Sequence, residues 1–444
     1  MLLRELIATL KRQHIRDYDS VAVTASTGLA ACNIGGVTLH SFAGIGLGKE
    51  SVPDLVKKIK KNAKATQRWR KTKILIIDEI SMVDGDLFDK LEGIARNIKN
   101  SGLPFGGIQL VITGDFFQLP PVPDNNRMAK FAFDANSWNT CITHTIGLTK
   151  VFRQKDPEFA NMLNELRLGK ITDKSIHTFK QLSRELEFSD GVEPTQLFST
   201  RHEVDNANGA RMRNLKGQSM SFPAVDKGTA DGPFRDKLLS NCMAPMKLEL
   251  KVNSQVMLIK NLDETLVNGS LGRVVGFMNE KTWDVQKGER YEFDAEDPPK
   301  PASNLEEPGR VWPLVQFVLP DGTSRQLLVQ PENWKIELPS GEVQAERSQV
   351  PLMLAWALSI HKAQGQTLER VKVDLGRVFE KGQAYVALSR ATCKEGLQVT
   401  RFDATKVMCH DKVRDFYDNL KSADEFVEEA EKAEKGIAKR KKKL

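Results

Sequence analysis

Two adjacent carboxylates follow a run of four aliphatic residues in this chain. Residues 74–77 read Ile-Leu-Ile-Ile, and Asp78 and Glu79 come directly after them. A short, continuously apolar run is typical of a buried parallel strand. Acids at the carboxyl end of such a strand lie at the edge where α/β sheets bind ligands. One acid there can hold Mg²⁺ while the next orients an attacking water, so the pair indicates nucleotide hydrolysis. Acids at strand ends are common, so the pair alone is a weak signal.

A second apolar run ends in a comparable way. Residues 108–113 are followed by Gly114, Asp115 and then Gln118, with two prolines behind them. A glutamine one strand away from the acid pair can contact both a γ-phosphate and the attacking water. The alternative is an ordinary strand with a tight turn and a proline stop. The two runs taken together favour the catalytic interpretation.

Two arginines are candidates for completing an ATP site from a second domain. Arg153 lies in the segment Leu-Thr-Lys-Val-Phe-Arg-Gln, and Arg390 lies in Tyr-Val-Ala-Leu-Ser-Arg-Ala-Thr. A guanidinium stabilises the charge that develops during phosphoryl transfer and can couple domain closure to hydrolysis. Each could also be a structural, ion-paired arginine, which is the better interpretation for an arginine taken at random.

Small polar residues in both halves of the chain form a candidate track for nucleic acid. Hydroxyls, backbone amides and basic groups hold phosphates, while aromatic rings stack on bases without reading sequence. The candidates are Thr27, Gly28, His40, Ser41, Ser359, His361 and Lys362, with Phe116 as a stacking surface. Adjacent phenylalanines such as Phe116 and Phe117 are more often part of a core.

The order of predicted elements places these residues in an α/β protein. In the first 150 residues strands and helices alternate, which predicts a parallel sheet covered on both faces. A basic segment lies at residues 57–73. Residues 270–345 contain short β-type runs separated by Gly, Pro and Asn, which predicts a small inserted β-barrel. The stretch 292–309 is acidic and proline-rich, and we expect a loop there.

Composition limits the possible classes of protein. The 444 residues are 40% hydrophobic and 28% charged, with a formal net charge of +7. No apolar stretch reaches the ~20 residues of a membrane span. The five cysteines are scattered without a Cys-x-x-Cys, so we expect reduced packing residues of an intracellular protein and no zinc site. The basic end at 439–443 fits a nuclear import signal, a nucleic-acid contact or a solvated tail.

The motifs, in this order, resemble those of the Pif (petite integration frequency) family of superfamily-one 5′→3′ DNA helicases, relatives of bacterial RecD. The resemblance extends to about residue 420. It rests on Leu-His-Ser-Phe-Ala-Gly-Ile-Gly at 39–46, Ile-Asp-Glu-Ile-Ser-Met at 77–82, the run Gly-Gly-Ile-Gln-Leu-Val-Ile-Thr-Gly-Asp-Phe-Phe-Gln-Leu-Pro-Pro-Val at 106–122, and Ala-Trp-Ala-Leu-Ser-Ile-His-Lys-Ala-Gln-Gly-Gln-Thr-Leu at 355–368. Residues 86–96 resemble the helix that separates this family from its RecD-like relatives.

The resemblance implies two RecA-like P-loop NTPase domains, each a parallel sheet flanked by helices, with ATP between them. It places the first domain at 1–148, with a wedge region at about 116–136. The second domain would comprise 149–270 and 346–420, the inserted β-barrel 271–345 and a charged tail 421–444.

The same resemblance implies roles for individual residues. Asp78 would ligate Mg²⁺, Glu79 would activate water, and Gln118, Arg153 and Arg390 would contact the γ-phosphate. Gly365 would contact the nucleotide, and the track residues would bind single-stranded DNA. The implied cofactors are ATP and Mg²⁺. The implied partners are single-stranded and forked or structured DNA with no membrane, for a monomer that maintains DNA in the nucleus and mitochondrion.

One family motif has no counterpart in these 444 residues. Family members carry a phosphate-binding loop, G-x-A-G-T-G-K-[ST], directly ahead of a helix that resembles residues 1–7. The segment 44–50 is short by one residue and has Glu50 at the hydroxyl position, and 168–171 has Ile171 there. We therefore expect an N-terminally incomplete first domain, and no DNA-stimulated ATPase from these residues alone. Two hypotheses stay open, namely an incomplete form of a Pif-type helicase and a truncated, ATPase-dead protein that binds single-stranded DNA.

Overall fold

The computed structural model of the chain describes residues 2–122, 130–154, 156–188, 190–239, 242–280, 283, 310–319, 322–337, 343–423 and 425–427. Its helices are α1 (Leu2–Gln13), α2 (Gly28–Asn33), α3 (Leu39–Ala43), α4 (Val52–Lys60), α5 (Ala63–Lys71), α6 (Gly85–Lys99), α7 (Trp138–Cys141), α8 (Pro157–Leu168), α9 (Asp173–Gln181), α10 (Arg201–Asn214), α11 (Gly232–Leu239), α12 (Ile360–Ala363), α13 (Gln383–Leu388) and α14 (Asp411–Asp418).

The strands alternate with these helices in both halves of the chain. They are β1 (Val21–Ala25), β2 (Val37–Thr38), β3 (Ile74–Asp78), β4 (Gln109–Ile112), β5 (Ile146–Gly147), β6 (Thr195–Phe198), β7 (Met220–Pro223), β8 (Val225–Lys227), β9 (Lys247–Leu250), β10 (Gln255–Leu258), β11 (Leu271–Met278), β12 (Trp312–Val318), β13 (Ser324–Leu328), β14 (Glu332–Glu337), β15 (Val343–Gln349), β16 (Leu352–Leu354), β17 (Ala357–Ser359), β18 (Val371–Asp374), β19 (Leu397–Thr400) and β20 (Lys421–Ser422).

The first sheet is parallel and has the order β2-β1-β3-β4 among the described strands. Helix α1 covers one face, where Ile7 joins Val21 and Ile74, and helices α4 to α6 cover the other. Because both faces are covered, the aliphatic residues of β3 are buried, as the unbroken apolar run predicts. Strand β4 lies at an edge, and its aliphatic residues are half-buried.

The second sheet is also parallel, with the order β17-β6-β18-β19. Helices α8, α9 and α13 contribute to its core, including the fully buried Phe159 and Phe179. Two covered parallel sheets match the predicted pair of RecA-like domains, so the predicted α/β fold class is confirmed.

A β-rich part connects the elements of the second half. It contains the five-stranded sheet β13-β12-β11-β10-β16, the sheet β14-β15-β8 and the pair β7-β9, all antiparallel. Its strands thus occur from Met220 to Leu354, on both sides of the predicted 271–345 insertion. The predicted domain boundaries stay predictions.

The end of the described chain returns to the first domain. Val413 of α14 is buried in the first core, and Phe416 and Tyr417 pack against it. Strand β20 pairs in parallel with β5, which places Lys421 opposite Ile146. This return brings residues distant in sequence beside the turn that follows β4.

Three predicted features fall wholly or partly outside the described residues. These are the acidic loop at 292–309, part of the wedge region (123–129) and most of the charged tail (424 and 428–444). In the part of the chain that the structure describes, no helix has the length and apolarity needed to cross a membrane.

Candidate functional site

The two acids stand where β3 ends. Oδ1 of Asp78 accepts hydrogen bonds from the Thr113 hydroxyl (2.6 Å) and from the Glu79 backbone N–H (2.9 Å). Glu79 adopts a left-handed backbone (φ 53°), which turns the chain sharply away from the sheet. Burial raises the pKa of Glu79, and the neighbouring Asp78 charge raises it further. A half-buried carboxylate with a raised pKa beside a second acid is typical of a catalytic base.

The second half of the chain supplies a partner for Glu79. Nε2 of Gln364, which follows α12, donates a 3.1 Å hydrogen bond to Oε2 of Glu79. Gly365 is next, and a Cβ on it would lie 3.8 Å from Oε1 of Glu79. Oε1 of Gln364 is buried and has no hydrogen-bond partner within the described residues. An acceptor left unpaired beside the acid fits a ligand that donates a hydrogen bond, such as water.

Arg153 and Arg390 are brought together around Ser389. The guanidinium of Arg153 donates to the Ser389 carbonyl (3.3 Å) and to the Thr367 hydroxyl (3.2 Å). Arg390 is 1% exposed, and it donates to the Val386 carbonyl (2.8 Å) and to the Ser389 hydroxyl (2.9 Å). Burial lowers the pKa of both arginines, and in Arg390 the charge of Arg153 is the second cause.

No carboxylate among the described residues forms an ion pair with either arginine. The acid with the largest effect on Arg390 is Glu79, whose charge acts on the pKa of Arg390 in the opposite direction to burial. Burying an unpaired charge costs several kcal/mol, roughly, even after the surroundings relax. The buried guanidinium of Arg390 and the half-buried one of Arg153, across the cleft from Asp78 and Glu79, therefore fit a compact anion such as a terminal phosphate.

The turn after β4 lies directly against the acid pair. Gly114 has φ 154°, and a Cβ there would come within 2.8 Å of the Ile80 backbone nitrogen. Four residues later, Oε1 of Gln118 is buried with no partner among the described residues. The turn also meets the second half of the chain, since a Cβ on Gly382 would lie 2.8 Å from the Gln118 carbonyl oxygen. Gln118 therefore stands between the two halves with an unpaired amide oxygen.

The oxygen ligands around Asp78 fit Mg²⁺. They do not fit a metal ion that protein side chains alone would hold. The described residues contain no group of three or more His, Cys, Asp or Glu side chains that could hold a metal ion. Mg²⁺ keeps several waters and is commonly held by one or two carboxylates plus substrate phosphates. The second oxygen of Asp78 accepts no hydrogen bond within the described chain, which leaves it available as such a ligand.

The first DNA-track segment is held in place by buried side chains. Helix α3, which carries His40 and Ser41, is capped by the Thr38 hydroxyl, which accepts from the Ser41 N–H (3.2 Å). At its other end, Nε of Arg68 donates to the Phe42 carbonyl (2.6 Å). Nη2 of Arg68 donates to the Ser41 carbonyl (3.1 Å), and burial lowers the pKa of Arg68 to about 10.

Two other predicted residues of this half lie at the start of a second short helix. The Thr27 hydroxyl accepts from the Ala30 N–H (3.2 Å), and Gly28 is the first residue of α2. Both are half-buried, so Thr27 and Gly28 keep accessible surface at the carboxyl end of β1. Their predicted contact with DNA stays a prediction.

The second DNA-track segment is α12 and the strand before it. Burial lowers the pKa of His361 and of Lys362, and Arg201 is the second cause for both. The basic side chains of His361, Lys362 and Arg201 therefore lie close together at the start of α12. Such a cluster fits a phosphate group.

Asn208 of α10 positions this segment. Its Nδ2 donates to the Ala357 carbonyl (3.0 Å), and its Oδ1 accepts from the Ala357 N–H (3.0 Å). The side chain thereby occupies the open edge of β17, two residues before Ser359. No local pattern indicates the roles of Asn208 and Arg68, because both act through backbone groups distant in the chain.

Two predicted DNA contacts are corrected by the packing. Phe116 is 5% exposed, and its ring packs on Phe131, Phe133, Trp138 and Phe416. A ring enclosed in an aromatic cluster offers no face for a base. Ser359 is 4% exposed, and its hydroxyl accepts from the Lys362 N–H (3.3 Å) as the N-cap of α12. Ser359 therefore positions Lys362, and its own side chain has almost no exposed surface to offer a DNA strand.

A further group, absent from the predictions, links three distant segments. Asp115 forms a two-point ion pair with Arg167 of α8, at 3.0 and 3.2 Å. The Tyr417 hydroxyl donates to Asp115 (3.2 Å) and accepts from the Phe116 N–H (3.1 Å). Arg167 lies over the ring of Phe117, 4.4 Å from its centroid. This group fixes the turn that carries Gln118.

Comparisons with known proteins identify the family of the chain. The sequence profile of the PIF1-like helicases matches residues 1–177, and that of the 2B domain of DNA helicase Pif1 matches residues 233–277. The ATP-dependent DNA helicase PIF1 of Emericella nidulans is 64% identical over 96% of this chain. The chain spans 60% of the length of that relative.

Solved structures give the same result. The crystal structure of Pif1 helicase from Candida albicans is 49% identical, with a TM-score of 0.72, covering 95% of this chain and 92% of that one. A Bacteroides Pif1 helicase in complex with ADP-AlF3 and single-stranded DNA is 27% identical, with a TM-score of 0.57, covering 90% and 86%. The chain is thus a member of the PIF1-like helicase family, as its motifs predict.

Proposed function

We propose that this chain forms the ATP-hydrolysing, DNA-translocating core of a 5′→3′ DNA helicase. One observation carries the proposal. The buried Arg390 and the half-buried Arg153 of the predicted second domain, without carboxylate partners among the described residues, lie on the other side of the cleft from the Asp78–Glu79 pair of the first domain. The resulting cleft has negative charge on one side and positive charge on the other, which fits the binding of a terminal phosphate. The polarity follows from the family alone.

Each residue then has a defined task. Asp78 would hold Mg²⁺, which neutralises phosphate charge when bound. Glu79 would take a proton from the attacking water, and Gln364 would hold the Glu79 carboxylate in place. Arg153 and Arg390 would stabilise the charge that develops on the phosphate, and their motion with the second domain would couple closure to hydrolysis.

The proposed nucleic-acid ligand is single-stranded DNA running across both halves. His40 and Ser41 on α3 and His361 and Lys362 on α12 are the proposed contacts, because both short helices lie at the carboxyl ends of their sheets. Forked or structured DNA as substrate, a monomeric state, and action in genome maintenance in the nucleus and mitochondrion are further parts of the proposal. The DNA substrate and the role in genome maintenance are supported by the family membership of the chain, whereas the monomeric state and the two cellular locations rest on the motif resemblance alone.

A second candidate function is single-stranded DNA binding without ATP turnover. It is favoured by the presence of the track residues in a chain whose 444 residues contain no G-x-x-x-x-G-K-[ST]. A chimera distinguishes the proposed helicase function from DNA binding without ATP turnover. A segment with the family's phosphate-binding loop, G-x-A-G-T-G-K-[ST], and the strand ahead of it is fused ahead of Met1, and ATP hydrolysis is measured with and without oligo-dT.

We expect the chimera to hydrolyse ATP and to be stimulated by oligo-dT, while the 444-residue chain binds oligo-dT without turnover. The helicase proposal is overturned if the chimera folds, binds oligo-dT and still does not hydrolyse ATP. Turnover by the 444-residue chain that disappears on Glu79→Gln would contradict the expectation for these residues alone.

A further inference from the structure

One short stretch accounts for the net positive charge of the chain. Residues 49–73 contain ten Lys and Arg and only two acids, Glu50 and Asp54, a net charge of +8. The whole chain has a net charge of +7, so the remaining residues together carry a net charge of −1. A surface with this excess attracts polyanions at long range.

Helices α4 and α5 present this charge on the outside of the first domain. Leu55, Ile59 and Trp69 pack inward on the core. The exposed side chains form what we call the basic face, namely Lys57, Lys60, Lys61, Lys64 and Arg70. At a rise of about 1.5 Å per residue, α5 alone extends it by roughly 13 Å.

Internal acids leave much of the basic face unneutralised. Asp54 and Glu50 are engaged by Lys57 and Lys58. Within the described residues, Lys60, Lys61 and Arg70 form no ion pair. Farther along, Lys99 turns inward and donates to the carbonyls of Arg70 and Thr72, at 3.0 and 2.8 Å.

The inner side of α5 is attached to the proposed DNA track. Arg68 and Trp69 donate to the carbonyls of Ser41, Phe42 and Ala43 at the end of α3. The helix that holds His40 in place is therefore the helix that carries Arg70 on its outer side. DNA that contacts α3 has the basic face next to it.

The chemistry of the basic face favours duplex over single-stranded DNA. Single strands are commonly held by aromatic platforms as well as charge. The aromatic residue of this stretch, Trp69, is 0% exposed and hydrogen-bonded inward. Cations without an exposed ring recognise the regularly spaced phosphates of a duplex, without regard to its sequence.

We propose that the basic face of α4 and α5 docks the phosphate backbone of duplex DNA adjoining the single strand on α3. The proposal rests on the proposed function in that the strand on α3 places the duplex there. The test uses the full chain with two fluorescent probes, a blunt duplex of about 20 base pairs and an oligo-dT of equal length.

The test variant is K60E/K61E/R70E. We expect its duplex affinity to fall at least about tenfold, and the slope of log affinity against log salt to lose about 0.9 for each contact removed. Oligo-dT affinity should change by less than about twofold, because the track residues are untouched. The milder variant K60Q/K61Q/R70Q should also lose more affinity for the duplex than for oligo-dT, with smaller losses than the charge-reversal variant. The unfolding temperatures of both variants should match that of the parent.

The control is K180E/K216E/K335E, which changes the net charge equally at exposed lysines outside the first domain. The inference is overturned if duplex affinity of the test variant stays within about twofold of the parent, or if the control loses as much. It is also overturned if the loss falls equally on oligo-dT. If the parent chain binds the duplex but not oligo-dT, the proposed function is wrong, whereas duplex binding by the basic face is still supported.

Discussion

Gln364 and Glu79, 285 residues apart, are joined by a 3.1 Å hydrogen bond from the Gln364 amide to the Glu79 carboxylate. The bond crosses from the second half of the chain to the first. It holds the candidate base in an orientation that depends on both halves. Any opening of the cleft would release Glu79, so activity and closure are coupled at this contact.

Glu79→Gln should stabilise the ligand-free chain at neutral pH. Burial raises the pKa of Glu79 above its ordinary 4.5, so ionising it is harder in the folded than in the unfolded chain. Its contribution to stability is intact below about 4.5 and is lost as pH rises through the folded-state pKa. Thermal unfolding should therefore show a gain for Glu79→Gln at neutral pH that vanishes near pH 4. An equal gain at both pH values would contradict the raised pKa.

Single-stranded DNA affinity should rise as pH falls through the pKa of His361. Burial and Arg201 lower that pKa below 6.5, so His361 is neutral at physiological pH and gains charge only in acid. The positive Lys362 and Arg201 and the negative Asp205 share this environment. Arg201→Gln should move the transition to higher pH, and His361→Asn should flatten it. Anisotropy titrations with oligo-dT measure the affinity at each pH. If the pH dependence is unchanged in His361→Asn, it does not arise from His361.

Asn208→Ala should weaken both stability and DNA binding. Removing the amide leaves the Ala357 N–H and carbonyl unpaired at a buried edge, which costs about 1–3 kcal/mol. The strand then holds α12, with His361 and Lys362, less firmly. Asn208→Asp keeps the acceptor but turns a charged oxygen towards the buried Ala357 carbonyl, so it should not recover the loss. The positioning role fails if oligo-dT affinity, corrected for the folded fraction, equals that of the parent.

Asp115 and Arg167 should show an interaction energy in a double-mutant cycle. The pair is largely shielded from water, and both partners also contact Tyr417 or Phe117. We expect a coupling free energy of about 1–3 kcal/mol in urea unfolding. Tyr417→Phe should give a smaller loss, since the ion pair survives. Additive single losses would mean that the two residues do not act as a unit.

The sequence predicted those features that depend on local patterns. The apolar run 74–77 identified a strand covered on both faces, and the acids behind it came to the sheet edge as expected. Arg153 and Arg390, on segments more than 230 residues apart, were both recognised from their motifs. They do meet, at Ser389.

The rest depends on contacts between distant segments, which no local pattern encodes. Phe116 was a candidate stacking surface, although adjacent phenylalanines more often belong to a core, and α14, some 300 residues later, helps to enclose its ring. Ser359 has the right chemistry for a phosphate contact, but its hydroxyl is used as a helix cap. No local pattern in the sequence indicated the roles of Arg167 and Asn208. These roles come from the return of the chain end and from the buried edge of β17 that Asn208 covers.

The most direct test of the account is the oligo-dT-stimulated ATP hydrolysis rate of the chimera with Glu79→Gln. If Glu79 is the base of a site closed by Arg153 and Arg390, the rate should fall at least about 100-fold. Oligo-dT affinity should stay within about twofold, since Glu79 is not on the track. A folded Glu79→Gln chimera that retains a rate within about fivefold of its parent would contradict the central claim.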